Sequence, residues 1–301
     1  VLSNRWVLLL LTAVAPGVWG TTYIATAELL PPDRPLLAAV LRSLPAGLVL
    51  LLIVRRVPRG SWWWRSLLLG ALNIGVFFAL LFIAAYRLPG GVAATVGAVQ
   101  PILITVLASR WIGEQLTVRK VAAGLAGLAG VALLVLQAQA RLDLLGVGAA
   151  LGGALAMACG VVLTKKWGRP DTLLATTAWQ LIGGGLVLAP LVLLLEGPLP
   201  DSLTPSNIAG YAYLGIIGTA LAYTLWFRGV HLLPASTTAL LGLLSPLVAT
   251  LCGWALLSET LSPGQVTGAA IILVTLIAHA APVRQKFAKA DQARAPDSIP
   301  R

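Results

Sequence analysis

The sequence predicts an all-α polytopic membrane protein, with ten transmembrane helices as two inverted five-helix repeats. Three observations carry this. Apolar stretches of about 20 residues recur along the whole chain, each long enough to cross a hydrocarbon core roughly 30 Å thick. Charged residues make up only 10% of the chain and apolar ones 58%, whereas soluble domains carry roughly 25% charged residues. Finally, residues 88–121 align with residues 233–266 without a gap, at an offset of 145, and nine of the 34 pairs are identical. Apolar identities carry little weight in so apolar a chain. The punctuation carries more: Pro89 falls on Pro234, Gly97 on Gly242, Pro101 on Pro246 and Glu114 on Glu259. A repeat of this kind organises the whole reading.

The ten spans run near 6–28, 35–54, 66–86, 90–110, 118–138, 144–164, 173–195, 207–228, 235–257 and 264–282, with short connections rich in Pro, Gly, Asp or Arg. The first is full length and reads as an anchor rather than a cleaved signal. Pro16-Gly17, just before Trp19, predicts a break in it. The second contains Arg42, the one clear charge well inside a span. About two turns from the outer end, its guanidinium can snorkel to the interface or meet a substrate carboxylate. The third follows Trp62-Trp63-Trp64, an interfacial aromatic anchor, and places Asn73 and Phe77 on one helical face.

Spans four and nine carry the repeated Gly97-x-x-x-Pro101 and Gly242-x-x-x-Pro246. Proline removes a donor and clashes with the carbonyl four residues back, which here belongs to a glycine that bends at low steric cost. A packing kink and a pair of pseudosymmetric gates both fit. Gly124, Gly127 and Gly130 in span five, and Gly148, Gly152, Ala156 and Gly160 in span six, are small enough for helices to approach closely. Residues 284–301 form a polar, basic tail. The organisation is therefore a first repeat over 1–140, a second over 141–283 and a cytoplasmic tail over 284–301.

Lys and Arg divide 17 to 3 between the two sides of these spans, the minority being Arg34, Arg87 and Arg141. By the positive-inside rule both termini are cytoplasmic, in a multi-pass protein of a bacterial-type inner membrane. Five spans per repeat is odd, so the halves lie upside down relative to each other. The charges agree: Arg110, Arg119 and Lys120 surround the first acidic turn, whereas Ala255, Gly264 and Gln265 stand at the matching positions of the second.

Every Asp and Glu lies at a span end, in a connection or in the tail. No metal-ligand spacing, cofactor motif or catalytic elbow is present, and Cys159 and Cys252 both lie inside apolar spans. An enzyme is therefore not expected, nor a cofactor, and the net charge of +11 reflects cytoplasmic loops rather than a nucleic-acid partner. Partners are the lipid bilayer and a small-molecule substrate, with the oligomeric state open. The interior offers neutral polar and aromatic groups: Trp19, Tyr23, Asn73, Phe77, Phe78, Gln100, Trp179, Gln180, Tyr223, Trp226 and Ser245. As a cavity wall this set suits neutral or zwitterionic solutes with an apolar side chain. For each aromatic taken singly, packing between helices fits equally well.

With these residues in view, the chain resembles the EamA-like branch of the drug/metabolite transporter superfamily. The resemblance rests on Trp19-Gly20, on Arg42, and on a closing motif present twice. That motif runs from Pro101 through Gly113-Glu114-Gln115-Leu116-Thr117 to Gly124, and from Pro246 through Glu259-Thr260-Leu261-Ser262 to Gly268. Within the branch the chain is most similar to exporters of aromatic and hydrophobic amino acids of the YddG type. The resemblance implies a central cavity lined by spans 1, 3, 4, 6, 8 and 9, and export by alternating access. Export of other metabolites or drugs is the alternative within the fold, and a membrane-embedded scaffold or enzyme is the alternative outside it. Two positions depart from internal symmetry: Cys159 stands where the first half has Trp19, and Trp179 where it has Arg42.

Overall fold

The computed structural model describes residues 2–32, 34–88, 90–135, 143–197, 200, 202–256 and 260–280. Pro89, Glu259, the tail and the Tyr23 side chain, all named above, lie outside what it describes. In chain order the helices are α1 (Leu2–Leu29), α2 (Pro35–Val54), α3 (Trp62–Gly70), α4 (Val76–Arg87), α5 (Gly90–Gly97), α6 (Gln100–Ile112) and α7 (Val118–Val135). They continue as α8 (Leu144–Trp167), α9 (Leu173–Leu195), α10 (Pro205–Gly215), α11 (Ala222–Leu232), α12 (Ala235–Leu241), α13 (Leu244–Leu256) and α14 (Pro263–Ala280). No strand occurs among the described residues. Read as α1, α2, α3–α4, α5–α6, α7, α8, α9, α10–α11, α12–α13 and α14, they make ten spans. Nine of these are long and apolar enough to cross a membrane, and the tenth is the shorter apolar Pro263–His279.

Local chemistry sets the ends. Pro35 opens α2 at the position where its missing donor is harmless, and α2 stops where Arg55 turns left-handed, at φ 50°. Gly113, at φ 71°, ends α6 in the same way, a conformation glycine adopts freely. Thr204 and Asn207 form a reciprocal capping box on α10. Asp143 caps α8 by accepting the Gly146 N–H at 2.9 Å. That N–H, followed by Arg87, holds the Asp143 carboxyl below the usual aspartate range. The cap therefore stabilises at neutral pH and is lost as pH falls through the lowered value. Large apolar side chains such as Leu52, Leu194 and Ile277 remain exposed on the outer surface, as lipid-facing positions must.

Two features depart from the sequence expectation. The break expected at Pro16-Gly17 is absent, since α1 runs unbroken from Leu2 to Leu29. One proline removes one donor, and the flanking turns hold the helix together. Conversely, spans three and eight contain π turns at 71–75 and 216–221, where the sequence shows no breaker motif. A π turn inserts an extra residue and is common at functional sites. Their starting positions differ by 145, the offset that relates spans four and nine.

The repeats interlock rather than sit side by side. The midparts of α2 and α9 pack against each other. A Cβ on Gly47 would lie 2.8 Å from Ile182, and one on Gly185 2.8 Å from Leu44. Gly47 matches Gly185 and Leu44 matches Ile182 at a common offset of 138, so an approximate twofold axis passes between these helices. That offset sets Gln180, not Trp179, opposite Arg42. Trp179 lies one residue earlier and donates its indole N–H to the Arg56 carbonyl at 2.8 Å. The span-five stripe is a packing surface, since Gly130 of α7 faces Ile272 and Gly268 of α14. In the span-six stripe Gly160 of α8 packs on Asn73, whereas Gly148 at its start is exposed and a Cβ there would meet nothing within 4 Å.

Candidate functional site: a central cavity on the repeat axis

A cavity of about 470 Å³ lies at the centre of the bundle, within the size range of small-molecule sites. Its walls repeat. Ala94, Gly97, Ala98, Gln100 and Pro101 line it from α5–α6. Their partners 145 positions on, Ala239, Gly242, Leu243, Ser245 and Pro246, line it from α12–α13. Phe78 and Leu81 are matched in the same way by Tyr223 and Trp226. The cavity is therefore built from the same positions of both halves and lies on their axis. Both broken helices are confirmed in shape: α5 gives way to α6, and α12 to α13, through tight turns of i→i+3 bonds such as Val99 N to Val96 O and Gly242 N to Ala239 O.

Aromatic rings close one end. The Trp19 ring lies 5.0 Å from Tyr223 and 5.2 Å from Trp226, and Tyr223 lies 5.7 Å from Phe227. From this floor the lining continues through Thr22, Thr26, Pro35, Ala38 and Leu214, towards the end of the bundle that carries the α1–α2 connection. Spans 1, 3, 4, 6, 8 and 9 all contribute, and α2 adds Pro35, Ala38, Ala39 and Arg42.

Arg42 does not snorkel. It is buried, and its guanidinium turns inward to the second π turn, donating Nε to Thr219 Oγ1 and Nη2 to the Gly218 carbonyl, both at 2.9 Å. The same carbonyl accepts the Trp19 indole N–H at 3.0 Å. The opposite face of the guanidinium lies 5.4 Å over Phe78. A π turn leaves backbone acceptors that a regular helix would satisfy, and these donors reach them.

Asn73, expected in the cavity wall, does not line it. It is fully buried and donates Nδ2 to Gln180 Oε1 at 2.9 Å and to Thr164 Oγ1 at 3.1 Å. Regular α-helical pitch would set Asn73 and Phe77 on one face. The extra residue of the first π turn rotates the two apart, and only Phe77 reaches the cavity. Gln180, which bonds Asn73, is thus also a locking residue rather than a lining one.

Further corrections concern the span ends. Lys165, at the end of α8, is not left to solvent: it donates Nζ to the carbonyls of Val230 at 3.3 Å and Leu233 at 2.5 Å, capping the end of α11. The Gly242 carbonyl, expected to be freed by Pro246, accepts the Ser245 N–H at 3.1 Å. Thr105 and Thr250 are another pair at offset 145, one that hydropathy and proline–glycine spacing do not mark. Each returns its hydroxyl to the carbonyl of the preceding proline, Pro101 at 2.7 Å and Pro246 at 3.0 Å. Such back-bonding bends helices.

Glu114 staples one repeat to the other. Its Oε1 accepts the Ala235 N–H at 2.7 Å, capping α12, and Lys120 lies 3.6 Å from Oε2. Glu114→Ala is expected to cost about 1 kcal/mol, the usual worth of an N-cap. Glu114→Gln, which keeps an acceptor, should cost less. Thermal unfolding of the purified chain checks this, and equal midpoints for both variants and the parent would contradict the staple.

Both halves match the EamA-like transporter family, over residues 4–136 and 144–279. The chain belongs to the EamA-like transporter family. It is thus a multi-pass membrane transporter of the drug/metabolite superfamily. Among EamA-like relatives, Protein PecM of Dickeya dadantii is 48% identical, over 87% of this chain and 89% of its own length. A probable amino-acid metabolite efflux pump of Salmonella typhimurium is 31% identical, over 86% and 90%. A solved crystal structure, 21% identical, covers 91% of this chain and 96% of its own with a TM-score of 0.79, which shows the same fold.

Proposed function

We propose that this transporter exports neutral or zwitterionic amphiphilic small molecules, aromatic and hydrophobic amino acids first among them, by alternating access around the central cavity. The observation that carries this is the wall itself: identical repeat positions from both halves, faced with aromatic rings, a few neutral polar groups and the single charge of Arg42, and with no Asp or Glu among its described lining residues. The amino-acid efflux named for the Salmonella relative points the same way. With both termini cytoplasmic, the lining runs from the aromatic floor towards the extracellular end, as in an outward-facing state. Counterflow of labelled amino acids into liposomes tests the proposal. Exchange of phenylalanine, tryptophan or leucine is expected, and exchange of none of the common amino acids would overturn it.

Inverted repeats exchange conformations to move a midplane site between the two sides. On this reading α5–α6 bends in one state and α12–α13 in the other. Pro101→Ala should therefore bias the transporter to one facing and Pro246→Ala to the opposite one. A bias of ~1.4 kcal/mol already shifts the state ratio about tenfold. Impermeant thiol labelling of cysteines at the two ends reads the shift. Movement in the same direction for both variants would make the prolines packing kinks.

A further inference from the structure

We infer that Arg42 is a ligand-binding residue: the site takes a molecule with a single carboxylate, whose apolar body lies on Trp19, Tyr223 and Trp226. The inference rests on the central cavity being the transport site. Arg42 lines that cavity while only 8% exposed. The hydrogen bonds it makes, to Gly218 O and Thr219 Oγ1, are to neutral acceptors and use Nε and Nη2 alone. Nη1 makes no hydrogen bond among the described residues, and no described lining residue is acidic. A guanidinium stays protonated under any accessible condition, and a buried charge without a partner is strongly disfavoured.

Locking the π turn does not call for that charge. At the matching point of the other repeat Gln180 stands in place of Arg42, and the first π turn is held by the neutral set Asn73, Gln180 and Thr164. The positive charge is therefore surplus to structure, and it faces the cavity. A second observation is independent of Arg42. The Trp226 indole N–H and the Thr22 hydroxyl, both on cavity-lining residues, are buried without a partner among the described residues, and Trp226 is only 1% exposed. A buried donor of this kind is rare unless a ligand or water serves it. The wall thus offers donors and one cation, and asks for acceptors and one anion. One arginine matches one carboxylate, and a phosphate would call for a cluster of cations. An ammonium group on the same ligand finds neutral oxygens and aromatic faces but no carboxylate among the described lining residues, a weaker set of partners.

The test uses four probes of one shape on the full chain in lipid nanodiscs: 3-phenylpropionate, L-phenylalanine, L-phenylalaninamide and phenethylamine. Calorimetry should find that both carboxylates bind and that the amide and the amine bind roughly tenfold to a hundredfold more weakly, the worth of a hydrogen bond to a charged group. Arg42→Gln should abolish this preference while leaving amide and amine affinities within about twofold, and Arg42→Lys should restore part of it. Equal wild-type affinity for acid and amide overturns the inference, whether or not the variants fold. So does an Arg42→Gln loss equal for all four, which is the mark of a structural residue, and so does no binding of any probe. If 3-phenylpropionate binds and phenylalanine neither binds nor exchanges, the carboxylate site stands and the amino-acid reading falls.

Discussion

Gly70→Ala is expected to remove most of the folded protein. A Cβ there would collide with the Gln180 carbonyl and lie 2.6 Å from the Gly184 amide nitrogen and 3.0 Å from the Gly183 carbonyl carbon. All three partners are backbone, so no rotamer change relieves the clash. The reciprocal contact is as tight, since a Cβ on Gly184 would lie 2.8 Å from the Gly70 carbonyl. Overpacking usually costs about 1–3 kcal/mol, and rigid partners put this case at the upper end or beyond. Gly97→Ala is the control. A Cβ there meets nothing within 4 Å, so stability should hold and only the cavity wall should change. Size-exclusion profiles and melting curves in detergent read both. A Gly70→Ala protein as stable as Gly97→Ala would show that α3 and α9 can separate freely.

Asn73→Ala should be the most costly polar substitution that leaves the cavity wall untouched. Its two side-chain hydrogen bonds are not the main term, because interhelical bonds in membranes average only ~0.6 kcal/mol. The larger cost is Gln180, 3% exposed, left with its carbonyl unpaired at about 1–3 kcal/mol. The total is about 3 kcal/mol. Adding Gln180→Ala to Asn73→Ala should therefore cost less than the two single changes summed, as coupled neighbours do. Strict additivity in a double-mutant cycle of melting free energies would dismiss the lock. Substrate affinity should survive, since neither side chain lines the cavity.

These two sites also mark where the sequence stops being legible. The ten spans, the duplication and both broken helices follow from hydropathy and from prolines and glycines at fixed spacing, because those residues force backbone outcomes locally. Of the eleven interior residues that the sequence offers as a cavity wall, Trp19, Phe77, Phe78, Gln100, Tyr223, Trp226 and Ser245 line it. The π turns are different. Ala71-Leu72-Asn73-Ile74-Gly75 and Ile216-Ile217-Gly218-Thr219-Ala220-Leu221 share no punctuation, and each is held by partners more than 90 residues away, such as Gln180 for Asn73 and Arg42 for Thr219. A backbone state set by distant side chains leaves no local trace, and the face rotation it causes misplaced Asn73. The inward turn of Arg42 was hidden for the same reason, because its acceptors exist only once α10–α11 has taken its π form. Pro16 misled in the opposite direction, since a single proline is compatible with a continuous helix when no second break accompanies it.

The crossed locking of the π turns bears on how the chain is made. The first π turn, at 71–75, is closed by Thr164 and Gln180, and Trp19 and Arg42 find their acceptors at Gly218 and Thr219. When the first five spans have left the ribosome, the groups that complete them have not been synthesised. Domains of multidomain proteins ordinarily fold as units while the chain emerges, the N-terminal one first. The first half is therefore expected to wait in the bilayer with these polar groups unmet until α8 and α9 insert, the last of them being met only with α10–α11. Insertion of the second half, rather than completion of the first, is the step that commits the nascent chain to its fold.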